Sequence, residues 1–181
     1  MKSKTLTQQS IIWDTIPDIL SLDIGHIKTT IIKSYAAKKR QSEKDWDYKY
    51  NYYNLENDKY ITWIHDYIRD HYTEQYNKTP ILINSASIIQ KKGEGINTHN
   101  HTWEYDYEKT PDISCLYCVS TGEKPTYIIF EYQGGRVRHG RWKISMSSRK
   151  LIMFNSEIPH YFTKNKNEDP TINLSFQFQL V

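Results

Sequence analysis

The sequence has 181 residues, a length that suits a single domain. Hydrophobic residues make up 38% and charged residues 25%, so the chain can build a core, although local disorder is compatible with the same composition. The net charge of +3 is too small to indicate nucleic acid or an anionic membrane as a partner.

The N-terminal residues contain no apolar stretch of the signal-peptide kind, and no run of about 18 apolar residues occurs anywhere in the sequence. The sequence therefore predicts neither a membrane-spanning helix nor secretion. We expect a cytoplasmic protein.

Composition divides the chain into three parts of one domain. Residues 1–20 are predicted to be irregular, as a short strand or as an arm that reaches a neighbouring subunit. Residues 21–80 are predicted to form a helical support region, which includes a polar, tyrosine-rich loop over 41–56. Residues 81–181 are predicted to form the β-rich core that carries the candidate site.

Two helices are predicted before residue 80. Asp23 can cap the first, which runs over 24–39 with apolar side chains at helical spacing. Asn57 or Asp58 can cap the second, which is predicted over 57–72 and has a similar apolar stripe.

After Pro80 the pattern changes to short apolar runs separated by turn residues. The predicted strands are Ile81–Ile89, a strand end at His99, Ile113–Val119, Thr126–Tyr132, Arg141–Ser145, Lys150–Phe154, Pro159–Phe162 and Ile172–Leu180. The last strand alternates apolar and polar residues, which predicts one dry face and one polar face. Helices followed by seven or eight strands predict a mainly β (α+β) sandwich or barrel, with the two helices packed on one sheet.

The two cysteines, Cys115 and Cys118, have the spacing of a redox motif. Such a motif normally opens a helix, whereas these residues lie in a predicted strand. Residues three apart on a strand point to opposite faces, so we interpret both thiols as structural.

Three histidines form the candidate functional site. His99 and His101 follow a glycine-containing turn, and residues i and i+2 of a strand point to the same face. His160 lies near a late strand and can supply a third imidazole. Two histidines and one carboxylate are the usual ligands of an oxygen-activating Fe(II) site. The carboxylate is either absent, which leaves three histidines, or comes from the loop after His101, with Asp106 as first candidate and Glu104 as second.

Several segments keep the order and approximate spacing of a known family. They are His99-Asn-His101, Ile113–Val119, Gly122–Phe130, Lys150–His160 and Thr171–Phe178. From Ile81 onward the chain resembles the Fe(II)/2-oxoglutarate-dependent oxygenases, and within them the small oxygenases of phages and marine bacteria. The resemblance implies a double-stranded β-helix, or jelly roll, with His99, His101 and His160 at the metal positions. It also implies Fe(II) and 2-oxoglutarate as cofactors.

Two residues depart from the family pattern. His101 stands where the family has its carboxylate ligand, and Thr171 stands where the family has an arginine that pairs with the far carboxylate of 2-oxoglutarate. A planar cation that binds a carboxylate through two hydrogen bonds is hard to replace.

Two alternatives follow from the missing arginine. Another cation can take its place, and Arg141, Lys143 and Arg149 are the candidates by their position in the sequence. Otherwise the ligand is smaller or neutral, and the hydroxyl groups of Thr171 and Tyr117 are candidates to bind it.

The sequence supports two functions from different classes. The first is an iron- and 2-oxoglutarate-dependent hydroxylase of unknown substrate, with a cupin-like three-histidine dioxygenase as a weaker variant. The second is a non-catalytic jelly roll, such as a phage virion or assembly component located in the host cytoplasm or the virion. In that case the arm over 1–20 and the 15 tyrosines would serve contacts with virion neighbours or with further copies of the chain.

Overall fold

The computed structural model describes residues 2–6, 9–17, 22–39, 50–52, 58–102, 110–133 and 139–181. Within these ranges the chain forms two helices, α1 (Ile24–Lys39) and α2 (Lys59–Tyr76). The strands are β1 (Lys2–Leu6), β2 (Gln9–Thr15), β3 (Tyr50–Tyr52), β4 (Pro80–Gln90), β5 (Ile96–His99), β6 (Ile113–Ser120), β7 (Tyr127–Gln133), β8 (His139–Ser145), β9 (Lys150–Asn155), β10 (His160–Phe162) and β11 (Thr171–Leu180).

The strands form two antiparallel sheets. The major sheet has seven strands in the order β1-β2-β9-β6-β11-β4-β3, and the minor sheet has four in the order β5-β10-β7-β8. From β4 to β11, consecutive strands alternate between the two sheets except for β7 and β8, which pair with each other in the minor sheet. This is the arrangement of a jelly roll. The prediction of a mainly β fold with two N-terminal helices is confirmed.

Side-chain caps set the start of both helices. The Asp23 carboxylate accepts a hydrogen bond from the backbone N–H of His26 at 2.8 Å. The Asp58 carboxylate accepts from the backbone N–H groups of Tyr60 and Ile61 at 3.0 and 3.2 Å. Helix α2 continues one turn beyond the predicted end, because the left-handed residue that terminates it is Asn77, at φ 53°.

One hydrophobic cluster lies between the helices and the outer face of the major sheet, here called the helix side. Alternate residues of each strand belong to it, because successive side chains point to opposite faces. Its members include Ile27, Ile31, Ile61, Ile64 and Ile68 from the helices, and Cys115, Tyr117, Val119, Ile172, Leu174, Phe176 and Phe178 from the sheet.

A second cluster fills the space between the two sheets, here called the interior. It includes Leu116, Cys118, Ile152 and Phe154 from the major sheet, and Ile128, Phe130 and Phe162 from the minor sheet. The predicted polar face of β11 also belongs here, since Thr171, Asn173 and Ser175 are buried opposite the helix-side residues. That face therefore turns into the jelly roll and not into solvent.

The described N-terminal residues form strands, which is one of the two forms predicted for residues 1–20, the other being an arm. β1 and β2 form a hairpin, and β2 pairs with β9 at the edge of the major sheet, with Ile11 opposite Phe154. Ile11 and Ile12 are buried, so the apolar residues of this segment are held by the sheet of their own chain. The division of the chain at residues 20 and 80 stays a prediction.

Another difference concerns the loop predicted over 41–56. Tyr50–Tyr52 forms β3, which pairs with β4 at the other edge of the major sheet. The remainder of that loop lies outside the described residues. Neither of the described helices is long and apolar enough to cross a membrane.

Both cysteine thiols are free and buried, as the interpretation of structural thiols requires. Cys115 packs on the helix side and Cys118 in the interior. The period of two along β6 thus places them on opposite faces of one sheet.

Candidate metal centre

Three histidines converge where the minor sheet meets the loop after β5. His99 is the last residue of β5 and lies directly opposite His160, the first residue of β10. His101 follows two residues later, and its backbone N–H donates to the carbonyl oxygen of Ser156 at 2.9 Å. One ligand nitrogen from each ring lies within 4.8 Å of the other two. The structure therefore brings together the three residues that the sequence predicts.

Backbone carbonyl groups fix the orientation of two of these rings. The Nδ1 atom of His99 lies 2.9 Å from the carbonyl oxygen of Asn97, and Nδ1 of His160 lies 2.9 Å from that of Ile158. A carbonyl oxygen only accepts hydrogen bonds, so Nδ1 carries the proton in both rings. The Nε2 atom of each ring keeps its lone pair, as a metal ligand must.

The ring of His101 is held by a pair of serines. Its Nδ1 atom lies 2.6 Å from Oγ of Ser114, and that hydroxyl group lies 2.8 Å from Oγ of Ser156. Both serines are fully buried. A neutral imidazole that binds a metal through Nε2 donates its Nδ1 proton, so Ser114 accepts here and can pass its own proton to Ser156.

Burial keeps all three imidazoles neutral. It lowers the pKa of His101 to about 3, with a smaller contribution from the nearby His99. Burial also lowers the pKa of His160 well below its ordinary value, helped by the two neighbouring histidines. The pKa of His99 is lowered by burial too, against the opposing hydrogen bond to Asn97. Three neutral imidazoles with free nitrogens are ready to coordinate a cation without losing protons.

Two phenylalanines form the wall behind the histidines. Phe154 meets the His160 ring edge to face at 4.7 Å between centroids, and Phe130 lies 5.9 Å from the same ring. Both aromatic rings are buried in the interior cluster. This wall excludes water from one side of the site and restricts the rotation of His160.

The sequence matches no protein-family model and no curated protein. Solved structures do match it. HygX from Streptomyces hygroscopicus, solved with nickel and 2-oxoglutarate bound, superposes with a TM-score of 0.58 at 9% identity, over 92% of this chain and 81% of that one. A Pseudomonas putida prolyl-4-hydroxylase superposes with a TM-score of 0.59 at 11% identity, over 92% of this chain and 86% of that one. EctD from S. alaskensis, solved with 2-oxoglutarate and 5-hydroxyectoine, superposes with a TM-score of 0.65 at 10% identity, over 92% of this chain and 71% of that one.

The chain has the fold of the Fe(II)/2-oxoglutarate-dependent oxygenases. At these identities the likeness establishes the fold, and the expected jelly roll is confirmed. The carboxylate candidates Asp106 and Glu104 lie outside the described residues.

Arg141 and Lys143 do not reach the interior. Both lie on β8, where the intervening Trp142 packs in the interior cluster, so the two cations face outward. Nε and Nη2 of Arg141 each lie 3.0 Å from a carboxylate oxygen of Glu131, and Lys143 lies over the ring of Tyr127 at 4.9 Å. These positions do not support the prediction that either cation replaces the missing arginine.

Tyr117 lies on the helix side, because the odd-numbered residues of β6 face the helices. Burial raises the pKa of its phenol to about 12, and the positive charge of Arg149 acts in the opposite direction. Arg149 sits in the turn before β9, with φ at 67° and its backbone N–H bonded to the carbonyl oxygen of Cys118. The position of Tyr117 on the helix side does not support a role beside the histidines. The charge of Arg149 acts on Tyr117.

Thr171 faces the interior, as the family pattern requires, but in neutral surroundings. Its Oγ1 atom lies 3.4 Å from Oγ1 of Thr126, and it is directly opposite Gln90 on β4. No lysine or arginine is buried among the residues that the structure describes. The interior end of β11 is thus lined by hydroxyl and amide groups.

A cavity of about 270 Å³ lies beside His99. Its wall runs from Ile88 and Gln90 at the end of β4, through Glu94 in the following turn, to His99 at the end of β5. The cavity therefore offers space for a ligand between His99 and Gln90.

Sequence reasoning missed Ser114, Ser156 and Gln90, because no motif distinguishes a serine or glutamine in a strand or turn. Ser114 could have been found from the alternation along β6, which places it on the same face as Leu116 and Cys118. Ser156 offers no such signal, since its contact with Ser114 joins positions far apart in the chain.

Proposed function

We propose that this protein is a mononuclear non-haem iron oxygenase that uses a 2-oxo acid as co-substrate, with His99, His101 and His160 as the metal ligands. The observation that carries the proposal is the convergence of three neutral imidazoles whose Nδ1 atoms are all hydrogen-bonded. Two matched structures support it: HygX was solved with nickel and 2-oxoglutarate bound, and EctD was solved with 2-oxoglutarate.

The donor set suits iron. Imidazole nitrogens bind Fe(II) and its neighbours in the first transition row, so His99, His101 and His160 would hold the ion through their Nε2 atoms. Three protein ligands leave coordination positions open for other groups. Bound Fe(II) would supply the oxygen chemistry, in which O₂ and a 2-oxo acid yield a carboxylic acid and CO₂ while a substrate C–H becomes C–OH.

The protein residues supply the positions of the ligands and a dry wall. The carbonyl oxygens of Asn97 and Ile158 hold the rings of His99 and His160 in the tautomer that presents Nε2. Ser114 does the same for His101. Such outer hydrogen bonds usually contribute about 10- to 100-fold to metal affinity.

The chelating end of a 2-oxo acid fits this centre, since it needs only the open positions of the metal. The far carboxylate of 2-oxoglutarate fits less well, because Thr171 is neutral and Arg141 and Lys143 face outward. We therefore propose the class of co-substrate, a 2-oxo acid.

The non-catalytic jelly roll is not favoured by the comparisons, since the structures named above are an enzyme and two proteins bound to metal or 2-oxoglutarate. Nothing in those matches supports a phage or viral origin.

The test is an anaerobic titration of metal-free protein with Fe(II) and then with 2-oxo acids, followed by visible absorbance. A weak charge-transfer band that needs both components, and that is lost in His160→Ala, is the expected result. His139→Ala, which removes an exposed histidine of β8, is the matched control and should keep the band. If Fe(II) binds but no 2-oxo acid changes the spectrum, the proposed function is wrong.

A further inference from the structure

We infer that the cavity beside His99 selects a 2-oxo acid whose tail ends in a hydrogen-bond donor, such as a primary amide, over one that ends in a second carboxylate. The inference rests on the proposed function, because the metal must hold the other end of the ligand. It assigns Gln90 and Glu94 as the residues that determine this specificity.

Gln90 presents an unpaired acceptor. Its side chain is only 2% exposed, and Nε2 lies 3.3 Å from the carbonyl oxygen of Glu94 and 3.4 Å from that of Thr163. Two carbonyl acceptors identify that atom as the nitrogen, which fixes the direction of the amide. The Oε1 atom then has no partner within the described parts of the chain. A buried acceptor without a donor raises the free energy of the folded protein. A ligand that donates an N–H or O–H group to Oε1 would therefore gain binding affinity.

Glu94 adds negative charge to the same wall. It lines the cavity, and its Oε2 atom accepts from the backbone N–H of Lys91 at 2.9 Å. No lysine or arginine belongs to the described cavity wall. A tail carboxylate would therefore enter beside a like charge and an unpaired acceptor, without a cation to compensate its lost hydration.

The cations nearest in sequence are engaged elsewhere. The Lys91 ammonium lies 5.5 Å from the centroid of the Tyr35 ring, and Lys92 pairs with Glu168. Both lysine side chains are exposed. These two lysines therefore do not neutralise Glu94.

Neutral groups continue behind Gln90. Thr171 lies directly across the strand pair from it, and Asn173 is two residues further on the same face of β11. Both polar atoms of the buried Asn173 amide lack a partner in the part of the chain that the structure describes. Amide and hydroxyl groups can exchange hydrogen bonds with an amide tail, whereas none of them supplies the full positive charge that a carboxylate requires.

The decisive experiment compares two ligands that differ only at the tail. N-oxalylglycine and N-oxalylglycinamide chelate a metal through the same oxalyl group and end in a carboxylate and a primary amide, respectively. Their binding to the Ni(II)-loaded protein is measured by isothermal titration calorimetry. We expect the amide to bind at least about tenfold more tightly, because the carboxylate lacks a cation.

Each outcome of this comparison has one meaning. Equal or tighter binding of N-oxalylglycine overturns the inference and leaves the proposed function intact. If Ni(II) binds and neither oxalyl compound does, the proposed function fails and the inference fails with it.

Two variants test whether Glu94 and Gln90 cause the preference for the amide ligand. Glu94→Gln keeps an acceptor for the Lys91 N–H and removes the charge, so N-oxalylglycine should gain several-fold in affinity while N-oxalylglycinamide changes little. Gln90→Leu removes the acceptor and should weaken the amide ligand alone. Glu123→Gln, at an exposed turn carboxylate, is the matched control. If Gln90→Leu does not fold, Glu94→Gln alone tests the assignment. An unchanged ratio of the affinities for N-oxalylglycine and N-oxalylglycinamide in that variant overturns the assignment.

Discussion

His99 and His160 face each other in register across the antiparallel pair of β5 and β10, and their ring centroids lie 4.3 Å apart. One comes from the end of a strand and the other from the start of its partner, so the pairing of two backbones sets the separation of two ligands. A site built on paired strands keeps its geometry better than one built on loops.

Metal binding should therefore stabilise the protein. With Ni(II) at about 100 times its dissociation constant, the free energy of unfolding should rise by about 2.7 kcal/mol. His99→Ala should remove this gain, because the remaining two rings hold the ion far less tightly. Thermal unfolding with and without Ni(II) measures the effect, and a gain that persists in His99→Ala would contradict the assignment of this ligand.

Ser114 should act on the metal through His101. Ser114→Ala removes the acceptor for Nδ1, and metal affinity should fall by about 10- to 100-fold. Ser114→Thr keeps a hydroxyl group and should restore most of the affinity, which a purely structural role for this residue would not explain. Competition with a chromophoric chelator measures both variants, and equal affinities in alanine and threonine variants would refute the prediction.

The metal-free protein should lose stability on mild acidification. In the unfolded chain the pKa of His101 returns to its ordinary 6.5, whereas in the folded protein burial lowers it to about 3. Between these values the unfolded chain binds a proton that the folded chain does not, so stability falls as the pH falls. This residue alone should cost about 2 kcal/mol between about pH 7.5 and about pH 5.

Urea unfolding with a chelator present measures this loss. His101→Gln does not titrate, and its amide can still bond to Ser114, so it serves as the control. Equal slopes of stability against pH in the two proteins would show that His101 is not held neutral.

The thiols should resist modification until the protein unfolds. Burial raises the pKa of Cys118 to about 12, although the charge of Lys150 opposes the shift, and burial raises the pKa of Cys115 as well. At about pH 8 the thiolate population of Cys118 should be roughly a thousandfold below that of a free thiol. Ellman's reagent should detect neither cysteine in the native protein and both in denaturant. Rapid labelling of the native protein would contradict their burial.

The sequence predicts most of the fold because the elements obey strong periodicities. The 3.6-residue pattern and the cap at Asp23 place α1 at its observed limits, 24–39. The alternation of β11 likewise predicts its two faces. It does not tell which face meets water, because the polar residues Thr171 and Asn173 are buried in the interior by the sheet packed against them.

The candidate site was predictable only in part. His99 and His101 are two residues apart, and the order of motifs adds His160, so local spacing suffices for the ligands. The outward direction of Arg141 depends on the pairing of β8 with β7, which a single sequence does not reveal. The contact of Ser114 with Ser156 depends on strand register in the same way.

β11 lies between β6 and β4 in the major sheet, and these two strands belong to one sheet only through it. The pairing of β11 with β4 joins residues about half the chain apart, so the sheet is completed through contacts of long sequence separation. Folding should accordingly be slow, because loop-closure entropy is lost before these contacts form. Until β11 pairs, β4 and β6 expose unpaired backbone groups along apolar strands, which makes the incomplete sheet prone to aggregation.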